Sequence, residues 1–134
     1  MKAFQAILTC AFLYGCATYD TESQAELDGA WLIEYISGRP VIDYSPAFIE
    51  FDNMDKVSGN ASCNAFTGTY VLDGSSMSIS NVAITRKMCP DALMEQEQRF
   101  VEALGEITRT ESIQGMLELK NASGQTVRKA SPTN

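Results

Sequence analysis

From Leu27 onward the chain alternates between short runs rich in Val, Ile, Phe, Tyr and Thr and clusters of Gly, Asn, Asp, Pro and Ser. That is the pattern of an antiparallel sheet protein. It predicts strands over 30–37, 47–52, 56–60, 67–72, 76–79 and 82–86. Asp73-Gly74 marks a tight hairpin, because Gly accepts positive φ without a Cβ clash. Gly38-Arg39-Pro40 is expected to end the first strand, since Pro40 cannot donate to a ladder. One segment breaks the alternation. Residues 91–108 hold no Gly or Pro until Gly105, follow Pro90, and place Leu93, Phe100, Val101, Leu104 and Ile107 at helical spacing. Three more strands follow at 109–113, 116–121 and 125–128, and the tail 131–134 is expected to fray. The fold class is therefore α+β, mostly antiparallel sheet with one helix. Trp31, Phe48, Phe51, Phe66, Tyr70 and Phe100 are expected in its core.

The first sixteen residues have another character. Lys2 precedes an apolar run from Ala3 to Tyr14, broken only by Gln5 and Thr9, and the run ends in Gly15-Cys16. It is shorter than the ~20 residues a membrane span needs but has the length of a signal-peptide core. Leu13-Tyr14-Gly15-Cys16 resembles the bacterial lipobox, in which the cysteine is acylated and the bond before it is cut. Residues 1–15 are then a lipoprotein signal peptide, Cys16 carries the lipid (palmitate among its acyl chains), and 16–26 form a polar tether reaching roughly 17 Å. Ala17, rather than Asp, after the cysteine favours the outer membrane, facing the periplasm.

Charge narrows the partners. The chain of 134 residues has a formal charge of −7; loss of the leader removes Lys2 and leaves 17 acidic against 9 basic residues. The cations are scattered, so no face is suited to nucleic acid. Histidine is absent, which excludes His-based triads and His-ligated metal centres. No cofactor or metal is expected.

Five motifs occur in order: Leu27-Asp28-Gly29-Ala30-Trp31-Leu32, Gly59-Asn60-Ala61-Ser62-Cys63-Asn64-Ala65-Phe66, Thr85-Arg86-Lys87-Met88-Cys89-Pro90, Glu97…Phe100…Leu104, and Leu117-Glu118-Leu119. Together they resemble the META domain, the HslJ-like family of small bacterial envelope proteins, over residues 27–130. The sequence departs from the family at Ser62, where Gly usually precedes Cys-Asn. The resemblance implies a small barrel-like antiparallel fold packed on one helix, secreted or lipid-anchored. It also implies links to heat stress, novobiocin resistance and motility or virulence, which are phenotypes rather than mechanisms.

Cys63 and Cys89 lie 26 residues apart, unlike a catalytic Cys-x-x-Cys pair, and two thiolates without histidine make a poor metal set. A structural disulfide is the expectation, with two reduced, buried cysteines as the alternative. Glu97 falls about 40° from Leu93 on a helical wheel, inside the apolar face, and needs hydrogen-bond partners there. Asn64, Thr85 and backbone N–H groups are the candidates, so Asn64, Thr85 and Glu97 are read as a structural polar cluster. Glu97→Gln is expected to leave the fold nearly unchanged. No catalytic residue is assigned. The expected function is that of a non-enzymatic, lipid-anchored stress-response protein of the envelope, acting on an unidentified envelope protein or small ligand. The alternative is a periplasmic inhibitor of a lytic enzyme or a ligand-binding module. An exposed protruding loop would favour inhibition, and an open internal cavity would favour ligand carriage.

Overall fold

The computed structural model describes residues 26–133. The leader, Cys10, Cys16 and the tether to residue 25 lie outside the described residues. The strands are β1 (Gly29–Ile36), β2 (Arg39–Pro40), β3 (Ala47–Phe51), β4 (Lys56–Asn60), β5 (Ala65–Asp73), β6 (Ser76–Ile84), β7 (Arg109–Ile113), β8 (Met116–Lys120) and β9 (Thr126–Pro132). The helix α1 (Asp91–Glu106) connects β6 to β7. All pairings are antiparallel, in the order β2-β1-β3-β4-β5-β6-β7-β8-β9, and β1 also pairs with β9. β1 and β3–β9 therefore close an eight-stranded barrel, with β2 as a short flap beside β1. Closure removes the edges at which sheets otherwise associate.

Strand alternation fills the barrel. Trp31, Ile33 and Ile36 of β1, Ala47, Ile49 and Phe51 of β3, Phe66 and Tyr70 of β5 and Leu117 and Leu119 of β8 are buried. The Phe51 and Tyr70 rings meet edge-on at 5.1 Å, and the Tyr70 hydroxyl donates to the Asp52 carbonyl at 2.7 Å. Gly59 lets β4 lie close: a Cβ there would stand 2.1 Å from the Phe48 carbonyl oxygen.

β6 and β7 meet through one residue pair, Ser76 with Arg109, and then diverge. α1 makes the connection between them and packs against β1, β6 and β9. Its buried face is Gln96, Glu97, Phe100, Ala103 and Leu104, and the Phe100 ring sits 5.2 Å from that of Phe66. The helix lies over the end of the barrel where β1 and β4 finish and β5 begins.

Several expectations change. β6 is one strand, not two, because a bulge at Asn81 (φ 54°) absorbs the irregularity without ending the ladder. Asp73 pairs with Ser76, so the hairpin turns at Gly74-Ser75, with Gly74 at φ 60°. The first strand does end before Gly38-Arg39-Pro40, at Ile36, but Pro40 does not stay out of the ladder: Ser37-Gly38 make a two-residue turn, and Arg39–Pro40 form β2 as the outermost strand, where a missing donor costs little. Phe48 is not core; it occupies the outward position between buried Ala47 and Ile49 and is 38% exposed. Val101 also leaves the apolar face, and the helix ends at Glu106. The tail is not frayed over 131–133: Ser131 and Pro132 pair with Leu32 and Trp31, and Thr133 N–H donates to the Ala30 carbonyl at 3.1 Å. The strand ends later because β1 offers an edge that local sequence does not reveal.

Candidate functional site

The polar side chains singled out in the sequence meet under the N-terminal half of α1. The β4–β5 loop folds on itself first: Asn60 Oδ1 accepts the Ser62 N–H at 2.7 Å, and Ala61 N–H donates to the Asn64 carbonyl at 2.8 Å. This aims Asn64 inward, 1% exposed. Its backbone N–H donates to Glu97 Oε2 at 2.6 Å and its Nδ2 to Glu97 Oε1 at 2.9 Å. Asn64 Nδ2 also donates to the Lys87 carbonyl at 3.2 Å, while Oδ1 accepts from Lys87 N–H at 2.6 Å and from Thr85 Oγ1 at 2.9 Å. Thr85 Oγ1 in turn accepts the Ala65 N–H at 3.2 Å. Thr85 reaches Glu97 only through Asn64. The three residues thus tie the β4–β5 loop, the 85–90 segment and the helix into one unit.

Cys63 and Cys89 are joined as a disulfide beside this cluster, with Cα atoms 6.0 Å apart. α1 begins after Pro90, whose carbonyl accepts from Leu93 N–H at 2.9 Å, and Asp91 places a negative charge in the first turn, where the helix dipole favours it.

Ser62 stands at φ 95°, a left-handed backbone that a side chain rarely adopts and that explains the glycine usual there. Its hydroxyl offsets the strain by three contacts: 2.7 Å from Ser45 Oγ, 2.9 Å from the donating Gln96 Nε2, and a weak donation to the Ser45 carbonyl at 3.4 Å. Gln96, fully buried, also donates to the Ser45 carbonyl at 3.2 Å and accepts the Ile42 N–H at 2.8 Å. The sequence reading missed Gln96 and Ser45. Gln96 lies one residue before Glu97 and four before Phe100, a position on the helix's inner face that could have marked it.

Arg128 was also missed. It pairs with Leu119 of β8 and Ile36 of β1, both inward-facing, and is 1% exposed. Its guanidinium lies over the Phe100 ring, 3.6 Å from the centroid, and Nη2 donates to the Phe100 carbonyl. Among the described residues Nε and Nη1 find no partner, and burial pushes its pKa down to about 9. Val127, also buried, hid it: two adjacent inward residues arise only because a bulge shifts β9 against β8 between Leu119 and Lys120.

Chemically the cluster is a lock. Both thiols are spent in a disulfide, both Glu97 oxygens accept hydrogen bonds, and the Asn64 amide bonds on both sides. Among the described residues no group of three or more His, Cys, Asp or Glu side chains is placed to hold a metal ion. At the opposite end of the barrel a cavity of about 150 Å³ is lined by Leu27, Trp31, Ser75, Thr110 and Leu117, with the Trp31 Nε1–H donating to the Leu27 carbonyl at 2.9 Å.

The barrel has relatives among solved structures. A protein solved by NMR from Burkholderia xenovorans is 19% identical, with a TM-score of 0.69 over 100% of this chain and 97% of that one. Another NMR structure is 28% identical, with a TM-score of 0.61 over 78% of this chain and 89% of that one. A crystal structure of a DUF4847 family protein from Bacteroides vulgatus is 15% identical, with a TM-score of 0.60 over 82% and 96%. No curated protein matches the sequence. The META domain family matches residues 24–133, which takes in the whole described barrel, and the chain belongs to that family.

Proposed function

We propose that this chain is a non-enzymatic META-domain lipoprotein of the bacterial envelope, anchored through lipid on Cys16 and facing the periplasm from the outer membrane. It acts in envelope, heat or antibiotic stress by contacting another envelope protein or a small ligand. The leader and its Leu-Tyr-Gly-Cys end support the anchor. The observation that carries the contact reading is the saturation of the buried polar cluster. Asn64, Glu97 and Thr85 spend their donors and acceptors on one another and on backbone, so their chemistry is turned inward. A group so engaged positions loops rather than acting on a substrate.

A second reading, inhibition of a lytic enzyme, is favoured by the loop at residues 41–46, where Tyr44 is 76% exposed. The cavity beside Trp31 is smaller than the roughly 300–1,000 Å³ of drug-sized ligand pockets, which weighs against ligand carriage.

The anchor is tested by labelling with a palmitate analogue. Label should appear on the intact chain, survive Cys10→Ser and vanish in Cys16→Ser; absence of label, or loss only in Cys10→Ser, overturns the anchor. Crosslinking of the processed protein in its own envelope tests the contact reading, which fails if the domain is trapped with nothing.

A further inference from the structure

Resting on the contact reading, we infer that the groove between β1 and the β2–β3 loop docks a cationic segment of a partner protein, which seats an apolar side chain there and pairs Lys or Arg with Glu34 and Asp43. The groove encloses about 330 Å³ on the outside of the barrel, with Leu32, Tyr35, Val41 and Pro46 as its apolar lining. Glu34 and Asp43 stand in that lining and no Lys or Arg does. The five ion pairs among the described residues leave both carboxylates out.

Three observations make this a docking surface rather than an incidental crease. Leu32 (38% exposed) is paired with Phe48 across the β1–β3 register, Tyr35 stands in the lining, and Tyr44 is exposed on the loop that forms one wall, so the groove is bordered by exposed aromatic residues. Tyrosine supplies large contact area at low entropic cost, which is why it recurs at binding hot spots. The loop is held rigid from below: fully buried Gln96 binds the Ile42 N–H and the Ser45 carbonyl, and Ser45 is bonded to Ser62. A loop fixed before binding loses less entropy when a partner arrives. The charge selects the partner. Two unpaired carboxylates in an apolar groove, on a chain of net charge −7, attract and orient a basic surface and repel an acidic one.

The test places the photocrosslinker p-benzoylphenylalanine at position 44 of the full chain in its own envelope, with position 71 on β5 as control, since Val71 is also well exposed. The expected result is one discrete adduct from position 44 and none from 71, with a partner of basic isoelectric point. Adduct yield should fall at least tenfold in the doubly reversed Glu34→Lys/Asp43→Lys chain, whose circular dichroism should match wild type. It should also fall in Gln96→Leu, which frees the loop. An acidic partner, a yield unchanged by charge reversal, or an adduct with a second copy or with residues 17–25 of the same chain overturns the inference. An adduct from 71 alone, or no adduct from either position, overturns the groove and leaves the contact reading to its own crosslinking test.

Discussion

Two charged side chains, one on the helix and one on β9, are buried where α1 meets the barrel and are treated in opposite ways. Glu97 is received by two N–H donors of Asn64, and those donors belong to a loop that a disulfide and two further hydrogen bonds hold in place. Arg128 lies against the Phe100 ring with one carbonyl as its hydrogen-bond acceptor, and two of its nitrogens have no partner among the described residues. Burying an ion costs several kcal/mol unless neighbours replace its hydration. The carboxylate is compensated and builds the helix-bearing end of the barrel. The guanidinium is compensated mainly by a π face, worth about 2 kcal/mol when desolvated, and should cost the fold stability.

The largest expected effect removes the compensated charge. Glu97→Leu leaves the Asn64 N–H and Nδ2 without their acceptor, and hydrogen bonds to a charged group are worth about 1.5–3 kcal/mol each. We predict a loss of about 3–5 kcal/mol in urea unfolding, with faster amide exchange at Asn64; a loss below about 1 kcal/mol would show that the cluster holds nothing. Glu97→Gln is more damaging than the helical wheel alone suggests. Both oxygens accept, so the new amide must turn an NH₂ toward an Asn64 donor, and about 1–3 kcal/mol is lost.

Next comes the covalent half of the same lock. The Cys63→Ala/Cys89→Ala chain opens a 26-residue loop and should lose about 3.5 kcal/mol in the chain-entropy model. Because Asn64 bonds the 85–87 segment independently, the double variant should still fold, with near-wild-type far-UV dichroism. An unfolded double variant would mean that the polar cluster cannot form without the disulfide.

That contrast also explains what the sequence could tell. Glu97 was legible because a helix has a rigid period, so an acidic residue on the apolar face stands out. Asn64 and Thr85 were legible through motif order. Arg128 was not, because strand alternation survives only until the first bulge, and the one beside Lys120 breaks the parity that would have turned Arg128 outward or flagged it. The same limit misplaced the strand break at Asn81 and the end of β9, where pairing with β1 carries the ladder to Pro132. Phe48 was the avoidable error: Ala47-Phe48-Ile49-Glu50-Phe51 alternates plainly, and its parity already turns Phe48 outward.

Removing the poorly compensated charge should act in the other direction. Arg128→Met keeps the volume and removes the buried cation, and such replacements are commonly stabilising by about 1–3 kcal/mol. The pH dependence follows from the depressed pKa. In the unfolded chain Arg128 keeps its proton up to the high value usual for a guanidinium, whereas in the fold burial lowers its pKa to about 9. Between those values the unfolded state binds more protons, so this residue's contribution to stability rises with pH. The advantage of Arg128→Met should be constant below about pH 8 and shrink as pH climbs past about 9. A destabilised Arg128→Met would mean that the ring and the Phe100 carbonyl compensate the cation fully, and the contrast with Glu97 would fall.

The smallest effect belongs to an exposed charge on the same helix. Glu95 bridges Arg39 of β2 at 2.7 Å and Arg99 at 3.4 Å, and the Arg39 hydrogen bond holds its carboxyl below the usual carboxylate range. A group whose folded pKa is depressed stabilises above its unfolded value and ceases to as pH falls through the folded one. Glu95→Gln should therefore unfold slightly earlier than wild type at neutral pH, and the two curves should merge in acid. Because the bridge is solvent-exposed, raised salt should merge them as well. If the difference instead persists in high salt and acid, Glu95 is acting by packing β2 against the helix, and the distinction between exposed and buried charge at this end of the barrel is less sharp than Glu97 and Arg128 make it.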